Sequence, residues 1–156
     1  MSGSDFLNKS LVKVVFDTDA NDSAGVSNKT AAAHPSGVFI PDNAIITNAF
    51  YEVNTTFTTA GADAGTIAIM IEGAGDLVVA IAVSAAGNIF DAGIHGTLAG
   101  SVIMRTVAGD TGILAAAGKV ATYIKVDGQE EVTFTVATQA LTAGKLTLYI
   151  EYVVGN

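Results

Sequence analysis

Apolar and polar residues alternate with period two along most of this chain, and the longest such run sets the frame for the rest. From 44 to 57, Ile45, Thr47, Ala49, Tyr51, Val53, Thr55 and Phe57 fall on one face. Ile46, Asn48, Phe50, Glu52, Asn54 and Thr56 fall on the other. A strand of that length would reach roughly 45 Å, beyond the usual size, so it is expected to bend or to cross between sheets. Ahead of it stands Pro41-Asp42-Asn43, in which proline presets φ while Asp and Asn bond back to the local backbone.

Residues 11–17 form a first alternating segment, with Val12, Val14 and Phe16 on one side. Residues 17–28 are a loop rich in Asp, Asn, Ser and Gly. Residues 31–36 suit either a strand extension or a helical turn, and 37–40 make a short strand before the turn. Beyond the loop at 58–65, Ile67, Ile69 and Ile71 point inward from a strand at 66–71. Residues 77–83 are apolar on both faces, and their β-branched residues and flanking glycines favour a buried strand over a helix. The alternation fades between 84 and 118. It returns at 120–126, and Asp127-Gly128 then signals a hairpin into a strand with Val132, Phe134 and Val136 inward. Thr142-Ala143-Gly144 is expected to turn into a last strand, 145–154, with Leu146, Leu148, Ile150, Tyr152 and Val154 on its inner face. About eight strands separated by Gly-rich turns predict an all-β fold. The class is a single-domain antiparallel β-sandwich of jelly-roll type, covering 11–156 behind an N-terminal arm at 1–10. Helix is expected at most as a turn near 31–34 or 114–118.

Composition narrows the function. There is no cysteine, which excludes disulfides and thiolate chemistry. The net charge of −8, with no Lys or Arg between Thr30 and Met104, argues against holding nucleic acid through phosphates. No apolar run approaches the length of a membrane-spanning helix, and the first residues lack the pattern of a signal peptide. Abundant small apolar residues and few charges suggest extensive contact with other chains.

Candidate chemistry is sparse. Asp17, Asp19 and Asn21 imitate the start of a calcium loop, but Asp22 replaces the required glycine and Asn28 the bidentate glutamate. A solvated turn-forming loop is the simpler reading. His34 and His95, the two histidines, sit in no nucleophile motif, so a hydrolase is disfavoured and no catalytic, metal or cofactor residue is expected. Tyr51, Tyr123, Tyr149 and Tyr152 could stack sugars, yet their place within strand patterns suits packing.

Two passages bear a likeness to known proteins. Val38 to Val53, around Pro41-Asp42-Asn43-Ala44, and Leu141 to Val153, around Thr142-Ala143-Gly144-Lys145-Leu146, resemble small structural proteins encoded near the capsid genes of tailed bacteriophages. Gly75-Asp76-Leu77-Val78-Val79-Ala80 fits the same pattern. The resemblance implies a capsid decoration (cement) or head-fibre protein, a β-sandwich, commonly trimeric on the virion surface, with no catalytic residues. The expected function is to bind the outside of the capsid and tie neighbouring major capsid subunits together, after synthesis in the host cytoplasm. The alternative is a fibre or baseplate component that binds a host surface glycan. Contacts with the capsid or a second copy are expected from Phe6 and Leu7 in the arm, and from Ile46 and Phe50 on the outer face of the long strand.

Overall fold

The structure is a computed structural model that describes residues 9–73, 76–85, 89–96, 104–108 and 119–155, without the side chains of 96, 104–108 and 119–123. No helix occurs among the described residues. Among the described residues ten strands run β1 Ser10–Asp17, β2 Ala33–Ile40, β3 Ala44–Thr59, β4 Thr66–Met70, β5 Val78–Ala82, β6 Gly93–Gly96, β7 Met104–Ala108, β8 Lys119–Tyr123, β9 Glu130–Ala137 and β10 Leu141–Val154. Eight of them form two four-stranded sheets, ordered β1-β10-β3-β6 and β2-β9-β4-β5, and β7 pairs with β8 alone. Every pairing is antiparallel. Within the two sheets only β4 and β5 are sequential neighbours; the other connections pass from one sheet to the other.

Alternation puts one face of each sheet into a shared core, as expected of an all-β sandwich. Val14, Phe16, Tyr51, Val53, Leu146, Leu148 and Ile150 enter from the first sheet, and Ile40, Ile67, Ile69, Val132, Phe134 and Val136 from the second. Phe16 stacks on Phe134 at 4.7 Å between ring centroids and on Phe57 at 6.1 Å, and Phe57 meets Phe90 edge-on at 5.8 Å. Burial of each such ring stabilises the fold by about 1.5–3 kcal/mol. Tyr51 keeps its polar end satisfied by donating to the carbonyl oxygen of Ile89 at 3.0 Å, and burial pushes its phenol up to about 12.

The long strand departs from simple alternation. It stays in one sheet, paired with β10 along its length, and bends by bulging. Asn48 faces Glu151 while Ile46 faces Tyr152, so Thr47 is the extra residue, and its hydroxyl donates to the Glu151 carboxylate at 2.7 Å. A bulge reverses the side-chain phase. Hence Ala44 and Ile46, rather than Ile45 and Thr47, join Ala49, Tyr51 and Val53 in the core, and Ile46 is wholly buried instead of lying on the outer face. Val154, expected on the inner face, is exposed at the end of β10 although it lies opposite the buried Ala44.

Other expectations change for reasons of pairing. Thr142-Ala143-Gly144 is not a turn but a bulged stretch of β10, with register shifts on both sides of Ala143. Asp127-Gly128 does turn the chain, with Gly128 at φ 92°, but makes no hairpin. Ile124 and Val126 pair backbone to backbone with the start of β3, whereas β9 joins the opposite sheet. The segment at 77–83 yields an edge strand, β5, so Val79 is exposed while Leu77, Val78 and Val83 are buried. Residues 33–36 open β2 and 31–32 bend into it, without a helical turn. The possible turn at 114–118 lies outside the described residues, as do Phe6 and Leu7.

Candidate functional site

The three passages that carry the family likeness are turn and bulge locks. At Pro41-Asp42-Asn43, Asn43 sits at φ 61° and Ala44 N–H donates to the Pro41 carbonyl. Asp42 accepts from Gly128 N–H at 2.9 Å, and Asn43 exchanges backbone bonds with Val126 and Gly155, so one turn gathers three segments. Asp76 accepts from the backbone N–H groups of Ile71, Glu72 and Gly73 at 2.9, 2.9 and 3.0 Å, which closes the β4–β5 turn around one buried carboxylate. Gly144, at φ 146°, lies under the Phe57 ring, where a Cβ would overlap the ring carbons. These residues specify backbone shape and bring no reactive group together.

The loop at 17–28 is likewise structural. Asp17 is bonded by Lys145 Nζ at 2.8 Å and by Asp19 N–H, and Asp19 by Lys29 Nζ at 2.8 Å. The Lys145 bond, then the Asp19 N–H, hold the Asp17 carboxyl below its usual range. Asp22 turns inward to His34 Nδ1 at 3.0 Å and accepts from Ala24 and Val26 N–H. Burial works against its charged form, but the Val26, His34 and Ala24 bonds outweigh burial and lower its pKa. Among the described residues no three His, Asp or Glu side chains converge as a metal would need.

The Asp22–His34 contact is a carboxylate–imidazole pair that sequence reading missed, since its members lie twelve residues apart in a loop and a strand. It does not extend to a nucleophile. His34 Nε2 is taken by the Thr30 carbonyl oxygen at 2.8 Å, and the ring is buried beside Phe16. His95 stacks on Tyr51 at 5.5 Å and bonds the Asp91 carbonyl oxygen through Nε2 at 2.7 Å. Neither imidazole bonds a hydroxyl in any described contact, so the relay that activates a serine or threonine is not assembled.

These carboxylate contacts set an acid limit. Glu151 is also held low, first by the Thr47 hydroxyl and then by Lys9. A carboxyl with a depressed folded pKa contributes stability that is complete above its unfolded value and lost as pH falls through the folded one. The melting temperature is therefore expected to stay level from neutral pH to about 5 and to drop below about pH 4. Asp22→Asn should lower the plateau and flatten the acid limb; an unchanged limb in thermal melts from pH 2 to 7 would contradict this assignment.

The outer face of the β1-β10-β3-β6 sheet is accessible and carries exposed apolar side chains. Register lines up Lys13, Tyr149 and Phe50 in one row, Val15, Thr147, Glu52 and Ile94 in the next, and Leu11, Glu151 and Asn48 in a third. Phe50 and Tyr149 stack at 4.9 Å with planes 18° apart. Around them Leu11 is 66%, Val15 48% and Ile94 78% exposed. Lys9 and Lys13 make the β1 flank basic, and Glu52 makes the β6 flank acidic. Of the expected contact residues, Phe50 belongs to this face, and Ile46 is on the core side of the same strand. Leu11, Val15 and Ile94 escaped sequence reading, because alternation does not show which strands are edges.

No protein-family profile and no curated protein matches the sequence. Three solved chains share the fold, each with a TM-score of 0.53. One, in the acidic stable capsid structure of Helicobacter pylori bacteriophage KHP30, is 11% identical over 95% of this chain and 89% of its own. Another, in the capsid of Ralstonia phage GP4, is 19% identical over 96% and 86%. A third, in the capsid asymmetric unit of cyanophage Pam1, is 16% identical over 95% and 86%. At such identities the likeness establishes a common all-β sandwich fold across nearly the whole chain.

Proposed function

We propose that this chain is a structural protein of a bacteriophage virion, a non-enzymatic decoration or cement protein that binds the outer capsid surface and links neighbouring major capsid subunits. The observation that carries the reading is the end-to-end fold likeness to chains of three phage capsid structures. The family-like turn locks, a surface with an apolar outer sheet face and the two histidines' structural roles support it. An acidic chain with a net charge of −8 suits the outer face better than contact with packaged DNA. In this reading the strand order 1-10-3-6 over 2-9-4-5 is a jelly roll with β7–β8 inserted, the domain spans 11–156, and the chain acts as a homotrimer made in the host cytoplasm. Phe50, with Leu11, Val15 and Ile94, supplies contacts to a second copy or to the capsid, and Phe6 and Leu7 in the arm at 1–10 act as a tether. Multivalent attachment makes such individually small contacts cumulative.

Co-sedimentation with capsids lacking the protein tests the reading: saturable binding at a symmetric stoichiometry is expected. Leu11→Lys with Ile94→Lys, both at exposed sites opposite Glu151 and Glu52, should change stability by less than about 0.5 kcal/mol yet weaken that binding at least tenfold. Deleting residues 1–9 should weaken it with little change in melting temperature. The second reading, a fibre or baseplate component for a host glycan, draws on the Phe50–Tyr149 pair, since stacked rings on a polar-flanked sheet suit a sugar. Binding to host cells but not to capsids would favour it.

A further inference from the structure

The outer face of the β1-β10-β3-β6 sheet has two unlike flanks. On β1, Leu11 and Val15 stand exposed on either side of Lys13. On β6 stands Ile94, the most exposed large apolar residue among those described, opposite Glu52 of β3. β3 and β6 contain no Lys or Arg, and Lys9 beside β1 is engaged by Glu151. Lys13 and Glu52 are therefore the unlike charges that distinguish the flanks. The two middle strands are more polar, with Asn48, Glu52, Thr147 and Glu151 in the rows around the stacked Phe50 and Tyr149.

The flanks complement each other in charge while both present apolar side chains, and a second copy of the chain offers that combination. Either flank against itself sets Lys13 against Lys13 or Glu52 against Glu52, whereas β1 against β6 joins unlike charges. A contact between two different patches is heterologous and, repeated, closes into a ring. We propose that this face is the contact between copies, the β1 flank of each on the β6 flank of the next, closed around a threefold axis along the strands. The inference rests on the homotrimer of the proposed function and assigns the face to that trimer rather than to the capsid. The width of the sheet suits three. Four strands about 4.8 Å apart span roughly 19 Å, and three such faces enclose an axis about 5.5 Å away, near half the ~10 Å between packed sheets. Two copies face to face would instead seal the Glu52 and Glu151 carboxylates of both beneath a second sheet, at a cost in desolvation. Rotation about such an axis keeps every residue at its own height. Val15, Thr147, Glu52 and Ile94 share one row, so Val15 of one copy meets Ile94 of the next, with Lys13 one row from Glu52.

The chain has no cysteine, so introduced cysteines report the contact directly. After mild oxidation of the isolated full chain, Val15→Cys combined with Ile94→Cys should run as a covalent trimer without reductant, and each single variant as a monomer. In sedimentation equilibrium, Lys13→Glu and Glu52→Lys should each weaken the trimer at least tenfold, and the two together should restore it, with melting temperatures level throughout. A single variant that cross-links, a dimer or open ladder from the double cysteine variant, or only monomer in both experiments would each overturn the proposal. A trimer of this kind that binds no capsid would overturn the capsid reading and leave this inference standing, and a monomer that binds capsids would do the reverse.

Discussion

Gly144→Ala is expected to destabilise the protein by about 3–5 kcal/mol, enough to leave much of it unfolded at 37 °C. Two costs combine. The residue sits at φ 146°, a conformation that a side chain strains by about 1–3 kcal/mol. The new methyl would also fall within the Phe57 ring, and Phe57 is fixed between Phe16 and Phe90 in the core. The ring cannot swing away without opening the aromatic seam. Because the overlap is with one side chain, the two positions should couple: in a Phe57→Ala background, adding Gly144→Ala should cost only the backbone share, about 1–3 kcal/mol. Urea titrations of the four proteins measure the cycle. Additive costs would mean that the close approach of ring and glycine is not what requires glycine here.

Asp76→Ala is expected to cost about 2–4 kcal/mol. The carboxylate satisfies three backbone donors in succession, and its removal leaves the Ile71 N–H unpartnered where water has little access. An unpartnered buried donor costs about 1–3 kcal/mol, and loss of the bonds to Glu72 and Gly73 adds to that. Ile71, Leu77 and Val78 pack in the core beside this turn, so the damage should spread into the β4–β5 edge and not stay in the loop. Hydrogen exchange should show the amides of 67–71 losing protection first. A midpoint shift in urea worth under about 0.5 kcal/mol, at unchanged slope, would contradict this role.

Period-two alternation carried the inner faces of β1, β4, β9 and most of β10 into the sequence reading, because a strand with one buried face needs one side apolar. It failed where pairing adds a residue. Nothing in the run from Ala44 to Phe57 marks Thr47 as a bulge; the mark is its bond to Glu151, more than a hundred residues away. Ile46 was therefore read onto the wrong face. Asp127-Gly128 was legible as a turn, since glycine supplies the positive φ, but which strands a turn joins depends on where Ile124 and Val126 find partners. Edge status was equally hidden, so Val79 read as buried, and the exposed Leu11, Val15 and Ile94 went unnoticed. Of the candidate surface, Phe50 was legible as an apolar residue opposite Tyr51. The Asp22–His34 pair and the enclosed Asn28 were not, because each joins a loop to a strand through contacts that no local pattern encodes.

The most direct test of the proposed function is a three-dimensional reconstruction of the virion from electron micrographs, compared with particles from which this chain is absent. The account predicts difference density for the sandwich on the outer shell, bridging adjacent major capsid subunits at symmetry-related positions, with the Leu11, Val15, Phe50 and Ile94 face turned toward a neighbouring chain. Density confined to a fibre or baseplate, density inside the shell, or no difference at all would contradict it.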